Sequence, residues 1–84
     1  MPRFFFHLVN DSTSVTDEEG QELVNREAAC LEARRTIGEV IAQEVVAGRN
    51  IVHLSIMIDD QAGARVANVK AVANVVVSEN PLIR

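Results

Sequence analysis

The two histidines are the side chains of this sequence best suited to acid–base or metal chemistry. His7 and His53 lie in two segments that we expect to be strands, and both imidazoles lie on the face away from the helix if those strands are neighbours in a suitable register. An imidazole titrates near neutral pH and is a common metal ligand. The pair is therefore one candidate site, although the sequence has no H-E-x-x-H motif and no cysteine pair, and structural histidines are commoner than functional ones.

The other reactive side chains have simpler structural explanations. The acidic run that begins at Asp17 lacks the alternating ligand spacing of a calcium-binding loop, so we interpret it as a solvated turn. Cys30 lies beside the apolar stripe of a predicted helix, which favours a place in the core. There is no glycine-rich phosphate loop and no G-x-S-x-G motif. We predict no catalytic residue, no metal site and no cofactor, and the sequence favours a non-enzymatic role.

Composition and charge limit the classes of partner. The chain has 84 residues, of which 12 are acidic and 8 are lysine or arginine, giving a formal net charge of −4. Scattered arginines and a single lysine make nucleic-acid binding unlikely. No apolar run is long enough to cross a membrane, and a single cysteine cannot form an internal disulfide. We expect a cytoplasmic protein without a membrane segment.

The pattern of apolar residues and turn formers predicts one domain of the α+β class, residues 1–84. Asn25 is a good helix N-cap and Gly48 a good stop, and the segments around this helix have strand character. The predicted elements are a strand at 3–9, a weak strand and turn at 14–24, a helix at 26–47, a strand at 51–59, a strand at 64–70 that could continue to 77, and a tail at 78–84. Residues 71–77 fit either a strand or a helix. One long helix then packs on a mostly antiparallel sheet of three to four strands, in the order β-β-α-β-β.

One helix covers only one face of such a sheet, while the predicted strands are apolar on both faces. Large exposed apolar patches on soluble proteins usually mark an interface. The interface candidates on the second face or the C-terminal edge are Phe5, Val9, Met57, Val75, Val76 and Val77. We therefore predict a homodimer or docking on a protein partner. The alternative is that the tail, with Leu82 and Ile83, folds back over the patch.

Two segments resemble a known family. The residues Met-Pro-Arg-Phe-Phe-Phe-His at 1–7, the segment Asp-Glu-Glu-Gly-Gln-Glu-Leu at 17–23 and a following alanine-bearing helix are similar to small uncharacterised bacterial proteins of about this length. The resemblance implies a single helix-on-sheet domain and, because that family is a domain of unknown function, it transfers no catalytic residue. The shared positions are Arg3, His7, Asp17, Gly20 and Glu22. Their structural interpretation is that Asp17 and Gly20 shape a turn and that Arg3 pairs with an acid.

Two functional hypotheses follow. The first is a non-enzymatic, oligomeric protein-interaction module, which the apolar surplus favours. The second is a ligand- or metal-binding domain built on His7 and His53 of the sheet face, with Arg3 as a further candidate binding residue. The second hypothesis requires the two imidazoles to lie close together.

Overall fold

The computed structural model describes residues 1–79, and within them one helix and five strands make up the fold. Its elements are β1 (Arg3–Asn10), β2 (Ser14–Val15), β3 (Gln21–Glu22), α1 (Arg26–Val46), β4 (Ile51–Asp60) and β5 (Arg65–Asn74). The predicted α+β class and element order are confirmed. The sheet has five strands rather than three or four, because the weak strand predicted at 14–24 is divided into β2 and β3 by the turn between them.

All strand pairings are antiparallel. The sheet order is β2-β1-β4-β5, and β3 pairs with β1 on the same side as β2 but nearer the start of the strand. The short connection after Asp60 makes β4 and β5 a hairpin. In the part of the chain that the structure describes, no strand pairs with the outer side of β5. The ten-residue strand β5 is therefore an open edge of the sheet.

The helix lies on one face of the sheet. Its first turn is capped by Asn25, whose side chain accepts a hydrogen bond from the Ala28 N–H at 2.8 Å. Ala29, Ala33 and Ile37 are spaced four residues apart, so they form one stripe, and all three are buried. The two alanines keep the helix close to the strands. Within residues 1–79, no helix is long and apolar enough to cross a membrane.

The core lies between this stripe and the inner side of the sheet. Alternate residues of β4 are buried, as expected for a strand with one covered face. The buried side chains of the sheet are Phe4, Val52, Leu54, Ile56 and Ile58. The opposite face, which we call the open face, is not covered by α1. The fold is thus two layers thick, and its Cα atoms extend over 59 × 24 × 16 Å.

The segment 71–77, which the sequence left open between strand and helix, begins as a strand. β5 continues to Asn74 because Ala71 and Ala73 pair with β4, and the Val75 N–H still donates to the Asn50 carbonyl at 2.6 Å. Residues 75–79, which we call the arm, follow without regular secondary structure. The rest of the predicted tail, 80–84, lies outside the described residues, and so does the predicted folding back of Leu82 and Ile83.

A core substitution tests this packing. Ile58 is fully buried, so we expect Ile58→Ala to lower the free energy of unfolding by about 2–5 kcal/mol. Val46 lies on the outer side of α1 and is 88% exposed, so Val46→Ala should change it by less than about 0.5 kcal/mol. Urea denaturation followed by circular dichroism measures both. Equal losses would contradict a core placed between α1 and the sheet.

Candidate functional site

A group of polar side chains lies near the end of the sheet where β4 turns into β5. We call it the His7 cluster, and its members are His7, Asp17, Asp59 and Arg65. They come from β1, from the turn between β2 and β3, and from the two strands of the β4–β5 hairpin. The β1–β4 register places Phe5 opposite Asp59 and His7 opposite Met57. His7 and Asp59 are therefore diagonal neighbours on the open face.

Both ring nitrogens of His7 are engaged. Its Nδ1 accepts a hydrogen bond from the Asp17 N–H at 3.1 Å, and its Nε2 lies 3.2 Å from Asp59 Oδ2. Because Nδ1 is an acceptor, the proton of the neutral ring is on Nε2, which donates to the carboxylate. A metal ion or a substrate proton would have to displace one of these bonds. His7 therefore links the turn that contains Asp17 to β4.

Asp59 joins this histidine to β5. Its Oδ1 accepts a hydrogen bond from Arg65 Nε at 2.5 Å, while its other oxygen faces His7. The Arg65 guanidinium holds the pKa of the Asp59 carboxyl below its usual range. Neither Asp59 nor Arg65 is among the candidate residues predicted from the sequence. Their positions on either side of the hairpin turn were the available signal, since residues flanking a hairpin face each other.

Asp17 closes the gap between β2 and β3. The Phe6 N–H has no strand partner at this point and donates to Asp17 Oδ2 at 3.0 Å. The other oxygen accepts from the N–H groups of Glu19 and Gly20 at 3.1 and 3.0 Å. Partial burial opposes ionisation, but these three donors outweigh it and hold the pKa of the Asp17 carboxyl below its ordinary value. One carboxylate thus replaces a strand partner and shapes the turn.

Gly20 is held tightly against β1. Its φ is +72°, and a Cβ atom there would lie 2.9 Å from Arg3 Cγ, from the Phe4 carbonyl oxygen and from Phe5 Cε1. The Arg3 guanidinium donates to the Glu19 carbonyl at 2.9 Å and lies 3.4 Å from Glu22 Oε1. The structure therefore brings four of the five family-like positions, Arg3, Asp17, Gly20 and Glu22, to one turn beside β1. The fifth, His7, contacts this turn through Asp17.

His53 lies apart from the His7 cluster. It is exposed on the open face and pairs with Val72, four residues before the Met57 that pairs with His7. Four residues of a strand span about 13 Å, which is too far for two imidazoles to bind one metal ion. Within residues 1–79 no group of three or more His, Cys, Asp or Glu side chains has metal-binding geometry. The structure does not bring together the two histidines of the alternative hypothesis.

The interface candidates divide into two groups. Phe5, Val9, Met57 and Val75 are partly buried, and the turn at Gly20 approaches the Phe5 ring. Val76 and Val77 of the arm are 76% and 83% exposed. Two further apolar side chains lie next to the arm: Val72, and Ile51 opposite Asn74, each 58% exposed. We call Ile51, Val72, Val76 and Val77 the β5 corner.

The sequence matches a model of a known protein family. The model described as "Domain of unknown function (DUF6894)" matches residues 3–73. The chain belongs to this family. The predicted resemblance to a family of unknown function is thus confirmed. In this DUF6894 chain the match covers the whole His7 cluster and almost all of β5 and ends before the arm. Comparisons with curated proteins and with solved structures found no match.

The tight turn of this DUF6894 chain makes Gly20 the first position to test. Gly20→Ala should lower the free energy of unfolding by roughly 1–3 kcal/mol, because the new methyl group meets three atoms and the backbone φ is positive. Gly38→Ala is the matched control, since it lies in α1 with nothing within 4 Å of the added Cβ. It should stabilise by about 0.5–1 kcal/mol. Thermal and urea denaturation measure both, and an equal effect of the two would contradict the packing of the turn.

The Asp17 carboxylate predicts an acid-dependent stability. Because its pKa is lower in the folded state, its contribution is present above the unfolded value, near 4, and is lost as the pH falls through the folded value. At pH 7 Asp17→Asn should cost about 1–2 kcal/mol, since an amide NH₂ replaces one accepting oxygen.

The difference in free energy of unfolding between wild type and Asp17→Asn should therefore shrink below about pH 4. Denaturant titrations from pH 7 to pH 3 measure it, with Glu18→Gln, an exposed acid of the same turn, as the control. A difference that stays constant over this range would refute the assignment.

Proposed function

We propose that this chain is a protein-interaction module that forms a homodimer through the β5 corner and the open edge of β5. The observation that carries the proposal is the position of four exposed apolar side chains, Ile51, Val72, Val76 and Val77, beside a ten-residue strand edge. Exposed apolar patches of this kind on soluble proteins mark interfaces.

The apolar side chains favour association but do not suffice for it. Moving a valine or isoleucine side chain fully out of water contributes roughly 1.5–3 kcal/mol. Eight such side chains, four from each copy, would give roughly 12–24 kcal/mol if association moved them from full exposure to full burial, and they give less because each is only 58–83% exposed beforehand. The loss of translational and rotational freedom on binding costs about 4–15 kcal/mol. Because the two ranges overlap, a stable dimer needs a second contribution.

The edge of β5 supplies that contribution. Every second residue of an edge strand presents an unpaired N–H and C=O, which pair readily with another strand. Natural edges are usually blocked by proline, by charges or by a bulge. β5 contains no proline, and its bulge lies at the start, where Ile58 and Asp59 shift register against β5. Its C-terminal half has Lys70 as its single charged residue, so this half is open to strand pairing.

The rest of the open face supports the same location. At the end of the sheet near the hairpin, the side chains of the His7 cluster bond to one another and to the Asp17 turn. Their polar groups are satisfied within one copy, and the turn partly shields Phe5. The apolar surface that still needs a partner is at the opposite end, next to the arm.

Light scattering or sedimentation equilibrium tests the proposal. Wild type should have twice the mass of the 9.2 kDa chain at micromolar concentration, and the double variant Val76→Asp, Val77→Asp should be a monomer with a native circular dichroism spectrum. The double variant Val15→Asp, Val24→Asp adds the same two charges at exposed positions in β2 and in the segment before α1, outside the β5 corner, and it should remain a dimer. A wild-type monomer up to millimolar concentration would refute the proposal, as would equal dissociation of both variants.

A further inference from the structure

We infer that the β5 strands of two copies pair antiparallel in one register, centred on Val72, and join the two sheets into one. This inference rests on the proposed homodimer and specifies its geometry. It follows from the hydrogen-bond directions along β5, from the side chains that such a register matches, and from the charge of Lys70.

The hydrogen-bond directions determine which backbone groups are available. In an antiparallel strand the N–H and C=O of successive residues point alternately to the two neighbouring strands. The Val75 N–H points toward β4, where it donates to the Asn50 carbonyl. The backbone groups at 69, 71 and 73 therefore point toward β4 as well. Those at 68, 70, 72, 74 and 76 point away from β4, toward the open edge.

A two-fold axis at Val72 uses all of these outward groups. Val72 then lies opposite the partner's Val72, Lys70 lies opposite the partner's Asn74, and Asn68 lies opposite the partner's Val76. These five pairs, counted from both copies, exchange about ten backbone hydrogen bonds. On the helix side the same register pairs Val69 with the partner's Val75 and Ala67 with the partner's Val77. The apolar arm of each copy is thus covered by the β5 strand of the other.

The charge of Lys70 disfavours the neighbouring register closer to the hairpin. An axis at Lys70 would place two lysines directly opposite each other, which is repulsive. With the axis at Val72, Lys70 faces a neutral amide. The register centred on Val72 therefore avoids this repulsion.

The helices leave room for this arrangement. α1 packs on β4 and β5, and a two-fold axis perpendicular to the sheet puts both helices on the same side. If each helix lies above the boundary of β4 and β5, two strand spacings of about 4.8 Å separate the two helix axes by about 10 Å. Directly packed helices are 8–10 Å apart. The two helices therefore come within packing distance of each other, and the sheets can join without overlap of the helix backbones.

Cysteine cross-linking tests the register in the full-length chain, with Cys30 replaced by Ser. Opposed residues that exchange hydrogen bonds have Cα atoms about 5.5 Å apart, within the range of a disulfide. Val72→Cys should therefore give a disulfide-linked dimer on mild oxidation. Lys70→Cys is the matched control on the same exposed face, and it should not cross-link because the two copies of residue 70 are about 13 Å apart. The pair Lys70→Cys with Asn74→Cys should cross-link again.

The outcomes separate this inference from the proposed function. Cross-linking by Val72→Cys and by the double variant, but not by Lys70→Cys alone, supports the register. Equal yields from Val72→Cys and Lys70→Cys would overturn the register. The register would also be wrong if neither Val72→Cys nor the double variant cross-linked while light scattering still found a dimer under reducing conditions. Either result would leave the homodimer standing. A monomer at all concentrations would overturn both.

Discussion

The structure depends on a mismatch between one helix and a sheet with two faces. α1 covers one face through the stripe of Ala29, Ala33 and Ile37, and the core between the two layers contains only apolar side chains. Within residues 1–79 there is no second helix to cover the open face. The two ends of the open face differ in how far their side chains find partners within one copy. Near the hairpin, polar side chains bond to one another, whereas the β5 corner leaves apolar side chains in solvent.

The polar end is best understood as bracing. β1 is paired by β2 at its end and by β3 at its beginning, so its middle would have an unpaired edge. The Asp17 carboxylate accepts the Phe6 N–H at that point, and the Asp17 N–H in turn fixes His7. His7 bonds to Asp59, and Asp59 bonds to Arg65. These contacts link the turn to both strands of the hairpin. His7, a candidate for ligand or metal binding from its residue type, thus helps to hold four segments together.

The sequence predicted what depends on local pattern. The alternation in β4, the four-residue spacing in α1 and the Asn25 cap led to a fold class that the structure confirms, and the bounds of β1, α1 and β4 differ from the predicted ones by one residue. It did not predict what depends on register. His7 and His53 share a face, but only the pairing of β1 with β4 shows that they are far apart. The bond between Asp59 and His7 also depends on the register of β1 against β4. The Asp17 carboxylate bonds to the Phe6 N–H of β1, eleven positions earlier in the sequence.

The amide hydrogen exchange rates of β5, measured by NMR in the dilute and in the concentrated protein, test the central claim most directly. The amides of Lys70, Val72 and Asn74 point away from β4, whereas those of Val69, Ala71 and Ala73 point toward it. If two copies pair through this edge, concentration should slow exchange strongly at Lys70, Val72 and Asn74 and much less at the other three. A dimer in which those three amides exchange as fast as in the monomer would contradict the account.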